Sequence, residues 1–456
     1  MKKNFFILFL ASFVMASCNN TQTTDNQTMT NDNNSKLKHQ EWTKHSNIYE
    51  VNVRQYTEEG TFNAFDKHLE RLADMGVDIL WFMPISPIGE KNRKGSLGSY
   101  YSIKDYTAIN PEFGTMEDFK NMVNHAHKLG MHVIIDWVAN HTAWDHYWVQ
   151  EHPEYYKHDS EGKIESPFDW TDVLALDYEN HDLWKAMANE MKFWLENADI
   201  DGFRCDVAML VKTEFWDSAR VELDKVKPVF MLAEAELPEH HLHAFDMSYA
   251  WEMHHVFADV AKGKKPASAL NERIVEDSKL FSSNDYRMQF TTNHDENTWN
   301  GTEYEKMGDG AKTMAVLTFT IPGMPLIYSG QEAANKKRLR FFDKDTLSWD
   351  SIPLADFYKN LIDLKNENKA LWNGDFGGSY NELTTTNAEH VFAFVREKDD
   401  NKVLFVGNMS AEPCTIQINF DKFAGKYQDW FTKGEVEFAD TNDFVLGPWQ
   451  YNIFVK

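Results

Sequence analysis

The chain has 456 residues, long enough for one large domain with an insertion or for two to three smaller ones, which excludes a small stapled or peptide-like fold. Its 71 Asp and Glu against 46 Lys and Arg leave a net charge of −25, so a phosphate backbone or an anionic lipid surface is repelled over most of the molecule and nucleic acid is not expected as a partner. Three cysteines, one of them Cys18 in the leader, are too few for a disulfide framework, while 15 Trp exceed ordinary packing needs and suit the flat faces of sugar rings.

The N-terminus MKKNFFILFLASFVMASCNN joins two lysines, an apolar run and small residues. That is the pattern of a secretory signal peptide over 1–17, too short to span as a helix. Ala16-Ser17-Cys18 resembles a bacterial lipoprotein cleavage box. The resemblance implies a lipidated Cys18 and an exported, membrane-anchored protein in the periplasm or on the outer membrane or cell surface. The alternative is a plain secreted protein. Residues 18–44 form the lipidated Cys and its tether, because 19–35 are almost entirely Asn, Thr, Gln, Asp and Ser, a composition that cannot offset ordering entropy.

Beyond the tether, short apolar runs predict strands at 48–53, 78–83, 132–138, 201–205, 229–233, 244–248, 287–292 and 325–328. Helical periods lie between them: Phe65, Leu69, Leu72 and Met75 before Gly76; Phe119, Met122, Val123 and Ala126 after the cap Thr115-Met116-Glu117-Asp118; Trp184, Met187, Met191 and Trp194. Eight strands, nearly all followed by a helix, predict an α/β fold, a (β/α)8 TIM barrel occupying 45–140 and 181–380. Between its parts, 141–180 has no helical period and is rich in Trp, His, Asp and Pro, so an irregular inserted subdomain is expected beside the active-site face. After the helix bearing Phe357, Leu361 and Leu364 the pattern turns to alternation, as in Val391-Phe-Ala-Phe-Val395, which predicts a small antiparallel β domain over 381–456.

In such a barrel chemistry sits at the C-terminal strand ends. Four predicted ends carry it: Asp136-Trp-Val-Ala-Asn140-His141, Gly202-Phe-Arg204-Cys-Asp206, Leu232-Ala-Glu234-Ala-Glu236 and Thr292-Asn-His294-Asp295-Glu296. Singly, an Asp after a strand reads as a helix cap and a His beside Trp as a satisfied core residue; convergence on one mouth reverses that reading. Clustered carboxylates with an Arg are what glycosidic cleavage needs, one group ionised to attack and one protonated to donate. A Mg²⁺ site is the competing chemistry, but such sites serve phosphate substrates and no phosphate-cradling Gly-rich loop is present.

All four motifs, in order, together with Tyr101-Ser-Ile-Lys-Asp105-Tyr106 and Gly323-Met-Pro-Leu-Ile-Tyr-Ser-Gly330-Gln331-Glu332, make the chain from about His45 onward resemble the α-amylase family, glycoside hydrolase family 13. The resemblance implies that Asp206 is the nucleophile, Glu234 the general acid and base, and Asp295 the stabiliser of the charged transition state. It further implies that His141 and His294 bind hydroxyls of the sugar being cleaved, that Tyr101 stacks on it and that Arg204 keeps Asp206 ionised. The implied activity is retaining hydrolysis of α-1,4-glucosidic bonds in starch, glycogen or maltooligosaccharides, with carboxylates roughly 5 to 5.5 Å apart. Trp137, Trp144, Trp148 and Trp170 are candidate stacking surfaces, most of them expected in the core.

Three departures from the family pattern stand out. Met209 and Leu210 occupy the place of a Lys-His pair that contacts the leaving-side sugar, which leaves transglycosylation or isomerisation of maltooligosaccharides as the alternative activity and a non-catalytic glucan-binding protein as a remoter one. Asn140 matches a metal ligand, Ca²⁺, but Ala175 replaces an aspartate of that site, so Ca²⁺ is expected to bind weakly or not at all, and no organic cofactor is implied. Glu236, spaced to face the same side as Glu234, is expected to raise the pKa of the acid.

Overall fold

The computed structural model describes residues 37–456; the signal peptide, Cys18 and the tether up to residue 36 lie outside the described residues. Ten strands carry the first part of the chain: β1 (Ile48–Val51), β2 (Ile79–Phe82), β3 (His132–Trp137), β4 (His141–Ala143), β5 (Val173–Ala175), β6 (Gly202–Cys205), β7 (Phe230–Ala233), β8 (Met247–Tyr249), β9 (Tyr286–Gln289) and β10 (Met324–Tyr328). Eight of them close into a parallel barrel in the order β1-β2-β3-β6-β7-β8-β9-β10, at the positions of the eight predicted strands.

These strands are apolar on both faces because both are buried. Ile48, Ile79, Ile134, Leu232, Met288 and Leu326 point inward and pack on one another, which makes the barrel interior a solid core. Tyr49, Leu80, Phe82, Val133, Ile135 and Phe203 point outward onto the helices. Each such burial contributes about 1.5–3 kcal/mol. Gly202 permits the closest approach in the barrel: a Cβ there would stand 1.9 Å from Phe230 O.

Of the predicted helices, Met116–Lys128 begins with the expected capping box between Thr115 and Asp118, and His181–Ala198 buries Met187, Met191 and Trp194. The period from Phe65 to Met75 belongs to two short helices, Phe62–Asp66 and Leu69–Met75, the second stopped by Gly76 at φ 94°. Between β3 and the helix His181–Ala198, β4 and β5 pair antiparallel, with an α-helical turn, Trp148–Glu151, and a 3₁₀ turn, Pro153–Tyr155, among otherwise irregular chain. Among the described residues no helix is long and apolar enough to cross a membrane, and Cys205 and Cys414 are free thiols.

The C-terminal strands are β11 (Ser379–Glu382), β12 (Val391–Lys398), β13 (Asn401–Asn408), β14 (Cys414–Asn419), β15 (Gly425–Asp429), β16 (Glu435–Phe438), β17 (Thr441–Leu446) and β18 (Tyr451–Val455). Six form a sheet in the order β11-β12-β13-β18-β15-β16, while β14 and β17 pair separately. Alternation sorts β12 and β13: Phe392, Phe394 and Phe405 join the core shared with the barrel helices, and Val391, Ala393, Val395, Leu404 and Val406 enclose a second core with Ile416 and Ile418 of β14.

Candidate functional site

Arg204 lies on the inward parity of β6, level with Asp136 of β3. Its side chain is fully buried. Nη1 donates to Asp136 Oδ1 and to Asp206 Oδ1, both at 2.9 Å, and Nε donates to the Tyr249 hydroxyl at 3.2 Å. Nη2 stands 2.9 Å from Glu234 Oε2, an ion pair that lacks the alignment of a hydrogen bond. The guanidinium also faces the Trp81 ring, 5.0 Å from its centroid. One cation therefore joins the ends of three strands, and the expected nucleophile and acid meet on it.

A second chain of contacts starts at Glu50, inward on β1. His294 holds Glu50 Oε1 at 2.5 Å through Nδ1 and the Tyr101 hydroxyl at 2.7 Å through Nε2; that hydroxyl donates to Asp136 Oδ2 at 3.1 Å. A carboxylate on one ring nitrogen and a hydroxyl committed elsewhere on the other fit an imidazolium that donates twice. Burial opposes that charge, but the carboxylates of Asp295 and Glu50 outweigh it and push His294 up to about 9. His294 thus has one ring nitrogen on Glu50 and the other on the Tyr101 hydroxyl.

This raised pKa has a definite sign. The stabilisation is fully present below the ordinary value of 6.5 and is lost as pH rises through about 9, a difference on the order of 3 kcal/mol. The thermal stability of wild type is therefore expected to fall from pH 6 to pH 9.5 by a component that Glu50→Gln lacks. Parallel pH dependences for the two proteins would show that His294 is neutral.

Burial drives Asp206 and Glu234 above the usual carboxylate range, against the pull of Arg204. Asp206 and Glu234 share that guanidinium with Asp136, and the geometry favours a proton on Glu234 over Asp206. Asp206 accepts an aligned charge-assisted bond from Arg204. Glu234 has Oε2 engaged by Arg204 and by the Val207 backbone N–H at 2.8 Å, which leaves Oε1 to carry the proton. Val207, directly after Asp206, adopts φ 37° and ψ 45°, a left-handed conformation costly for a β-branched residue, and this turn aims its N–H at Glu234. Asp295 lies 3.4 Å from His294 Nε2 and keeps 36% side-chain exposure, open to the mouth.

His141, on β4, is buried; its Nδ1 lies 3.1 Å from Asn140 Nδ2 and its ring meets Trp170 edge-on at 5.4 Å. Burial lowers it to about 4, so it is neutral at neutral pH. Asn140 thus presents its amide nitrogen to His141, Ala175 pairs with His141 across β4 and β5 and brings no carboxylate, and among the described residues no group of three or more His, Cys, Asp or Glu is placed to hold a metal ion. Ala175 thus brings no carboxylate to the place where a Ca²⁺ cage is expected to take one.

Glu236 corrects the sequence reading. The chain leaves the strand after Ala233, and Glu236 pairs at 2.6 Å with Arg287, which points outward from β9, so it does not face the catalytic cluster. Trp137 and Trp148 are core, as expected, while Trp144 and Trp170 keep partial exposure. Met209 and Leu210 are 45% and 40% exposed on the turn that follows Val207.

Glu50, Trp81 and Tyr249 were not singled out from sequence. All three lie on the inward parity of apolar strands, and for Glu50 the legible signal is a carboxylate two residues after Ile48 in a strand otherwise apolar.

The chain matches the family described as alpha amylase, catalytic domain, over residues 17–175 and 168–352. It is 25% identical over 409 residues to an alpha-amylase of Haloarcula japonica, an alignment covering 85% of this chain but only 59% of that protein's length. Among solved structures it is similar to a noncanonic maltogenic alpha-amylase of Thermotoga neapolitana, at 30% identity and TM-score 0.83, over 91% of this chain and 99% of that one. It is likewise similar to an alpha-amylase of Lactobacillus plantarum, at 32% identity and TM-score 0.82, over 91% and 100%.

Proposed function

Because the chain belongs to the α-amylase family and is a glycoside hydrolase-type enzyme, we propose that it hydrolyses α-1,4-glucosidic bonds of starch, glycogen or maltooligosaccharides by double displacement with retention. The observation that carries this reading is Arg204 bonded to Asp206 and paired with Glu234 while Asp295 stands open beside them. Asp206 attacks the anomeric carbon as the bond to the leaving oxygen breaks, and Glu234 gives that oxygen its proton. Glu234, now a carboxylate steadied by the Val207 N–H, takes a proton from water, whose oxygen displaces Asp206 and restores the α anomer. Tyr101 and His141 bind the sugar at the reacting centre, and Asp295 stabilises its developing positive charge.

Transfer to a sugar acceptor is the second reading, and the turn beside the acid bears on it. The leaving group departs on the side of Glu234, where Met209 and Leu210 expose apolar surface. These side chains offer a sugar acceptor few hydrogen bonds.

The test incubates the protein from Asn19 onward with maltooligosaccharides of increasing length while NMR follows product size and anomer. α-Anomeric products shorter than the substrate are expected. β-Anomeric products, or binding without cleavage, would sink the proposal, and products longer than the substrate would move it to transfer.

Export with a lipid on Cys18 belongs to the same proposal and rests on the leader alone. In a bacterial host, Cys18→Ser is expected to shift the protein from the membrane fraction to the soluble one; equal partition of both forms speaks against an anchor.

A further inference from the structure

On the outer side of the barrel a cavity of about 580 Å³ lies between the helix Ser268–Leu280, strand β9 and strands β11 and β12 of the C-terminal domain. Asp206, Glu234 and Asp295 do not line it, so it is separate from the catalytic mouth. Its size falls within the roughly 300–1,000 Å³ of small-molecule sites. Ile274, Phe281, Trp372 and Tyr380 give it apolar wall, and Arg287, Gln289, Arg396 and Lys398 bring polar groups to it.

Two of these side chains, both on the outward parity of β9, hold unmet polar atoms. Arg287 is buried; Nη1 donates to Ser248 Oγ at 2.7 Å and Nη2 to Glu236 Oε1 at 2.6 Å, but Nε has no partner. Gln289 is buried as well; Nε2 donates to Pro322 O at 3.0 Å, and Oε1 has no partner. Buried polar atoms are normally bonded, so unmet ones on the wall of a cavity point to an occupant that meets them.

Arg396 sets the charge of that occupant. It is 2% exposed, and its bonds go to carbonyls alone: Nη1 donates to Thr320 O at 3.1 Å, Nη2 to Gly378 O at 3.1 Å and Nε to the same oxygen at 3.4 Å. Among the described residues no carboxylate pairs with it, and burial holds it down to about 10. Lys398, two residues on and so on the same face of β12, donates to Asp375 O at 3.0 Å. The carboxylates around the cavity are engaged elsewhere. Asp277 accepts from Arg273 Nη2 at 2.6 Å, Asp285 from Ser282 N–H at 2.8 Å and Oγ at 2.9 Å, and Asp375 from Ser283 Oγ at 2.5 Å. A buried cation without a counterion is costly, and an anion in the cavity relieves that cost. We propose that this cavity binds a small organic anion, its carboxylate or phosphate head on Arg396 and Lys398 and its aromatic or aliphatic body against Ile274, Phe281 and Tyr380.

The test is calorimetry on the protein from Asn19 onward with phenyl phosphate, benzoate, inorganic phosphate and neutral benzyl alcohol. Phenyl phosphate or benzoate is expected to bind a single site with Kd below about 1 mM, the tighter of the two identifying the head, while inorganic phosphate and benzyl alcohol bind at least about tenfold more weakly. Arg396→Met removes the charge at similar length. Ser278→Trp fills the cavity from the exposed face of its helix and leaves Arg396 in place. Each variant is expected to weaken the organic anion by about tenfold or more. Absence of binding by both organic anions, equal binding of the neutral or the inorganic probe, or unchanged affinity in Ser278→Trp overturns the site. Should Arg396→Met fail to fold, Ser278→Trp and the four probes still decide it.

Discussion

Asp206→Asn is expected to lower kcat on maltooligosaccharides by about 10⁴-fold or more while leaving their binding in place. The amide fills the same volume and its oxygen still accepts from Arg204 Nη1, now 2.9 Å from Asp206 Oδ1. It removes only the negative charge that forms the glycosyl bond. Because the carboxylate is buried among like charges, the fold is not expected to suffer, and a thermal midpoint at or above that of wild type checks this. Glu234→Gln separates the second role: it is expected to fall as far on maltooligosaccharides, whose leaving oxygen needs a proton, but far less on α-glucosyl fluoride, whose leaving group does not. If Asp206→Asn kept a few per cent of wild-type turnover, the covalent route would be wrong. If Glu234→Gln lost both substrates equally, Glu234 would not be the acid.

The barrel was readable because its strands are apolar on both faces and its helices carry a 3.6 period, so 3.6 and extended runs alternate without overlap. The catalytic cluster was readable because barrel topology brings all strand ends to one mouth, and Asp136, Arg204, Asp206 and Glu234 do meet there. What sequence spacing misjudged lies just beyond the strands. Glu236 has the parity of Glu234, but parity holds only while the chain stays extended, and it does not after Ala233. Glu50 and Tyr249 were hidden for the opposite reason: each sits inside an apolar strand, and only the closed barrel reveals that its partner is a residue far along the chain, His294 for Glu50 and Arg204 for Tyr249. The turn after Asp295 is bonded by Asn297 to a loop some forty residues later, a pairing with no local signal.

Arg204→Met is expected to cost more stability than any other single change at the site, about 3–5 kcal/mol against a total of roughly 5–15, as loss of activity alone would not. The side chain is fully buried and is the one cation shared by Asp136, Asp206 and Glu234; without it these buried carboxylates face one another uncompensated. They respond by holding protons. Their folded pKa values, already raised by burial, then rise further, so the folded state binds more protons than the unfolded one and stability falls as pH climbs from the ordinary carboxylate range upward. Arg204→Met is therefore expected to unfold most readily above pH 7 and to recover part of the loss near pH 4 to 5. Arg204→Lys keeps the charge but not the fork that reaches Asp136, Asp206 and Tyr249 together, so it is expected to retain most of the stability and still lose about 10²-fold in kcat, because Asp206 is no longer aimed. Thermal melts at pH 4.5 and 8 with kcat for both variants separate the two contributions: charge shows in the melts, and aim shows in the Lys variant's turnover. A Met variant whose melting is independent of pH would mean that the three carboxylates never needed the guanidinium, and the assignment of Arg204 as the group that keeps Asp206 ionised would fall with it.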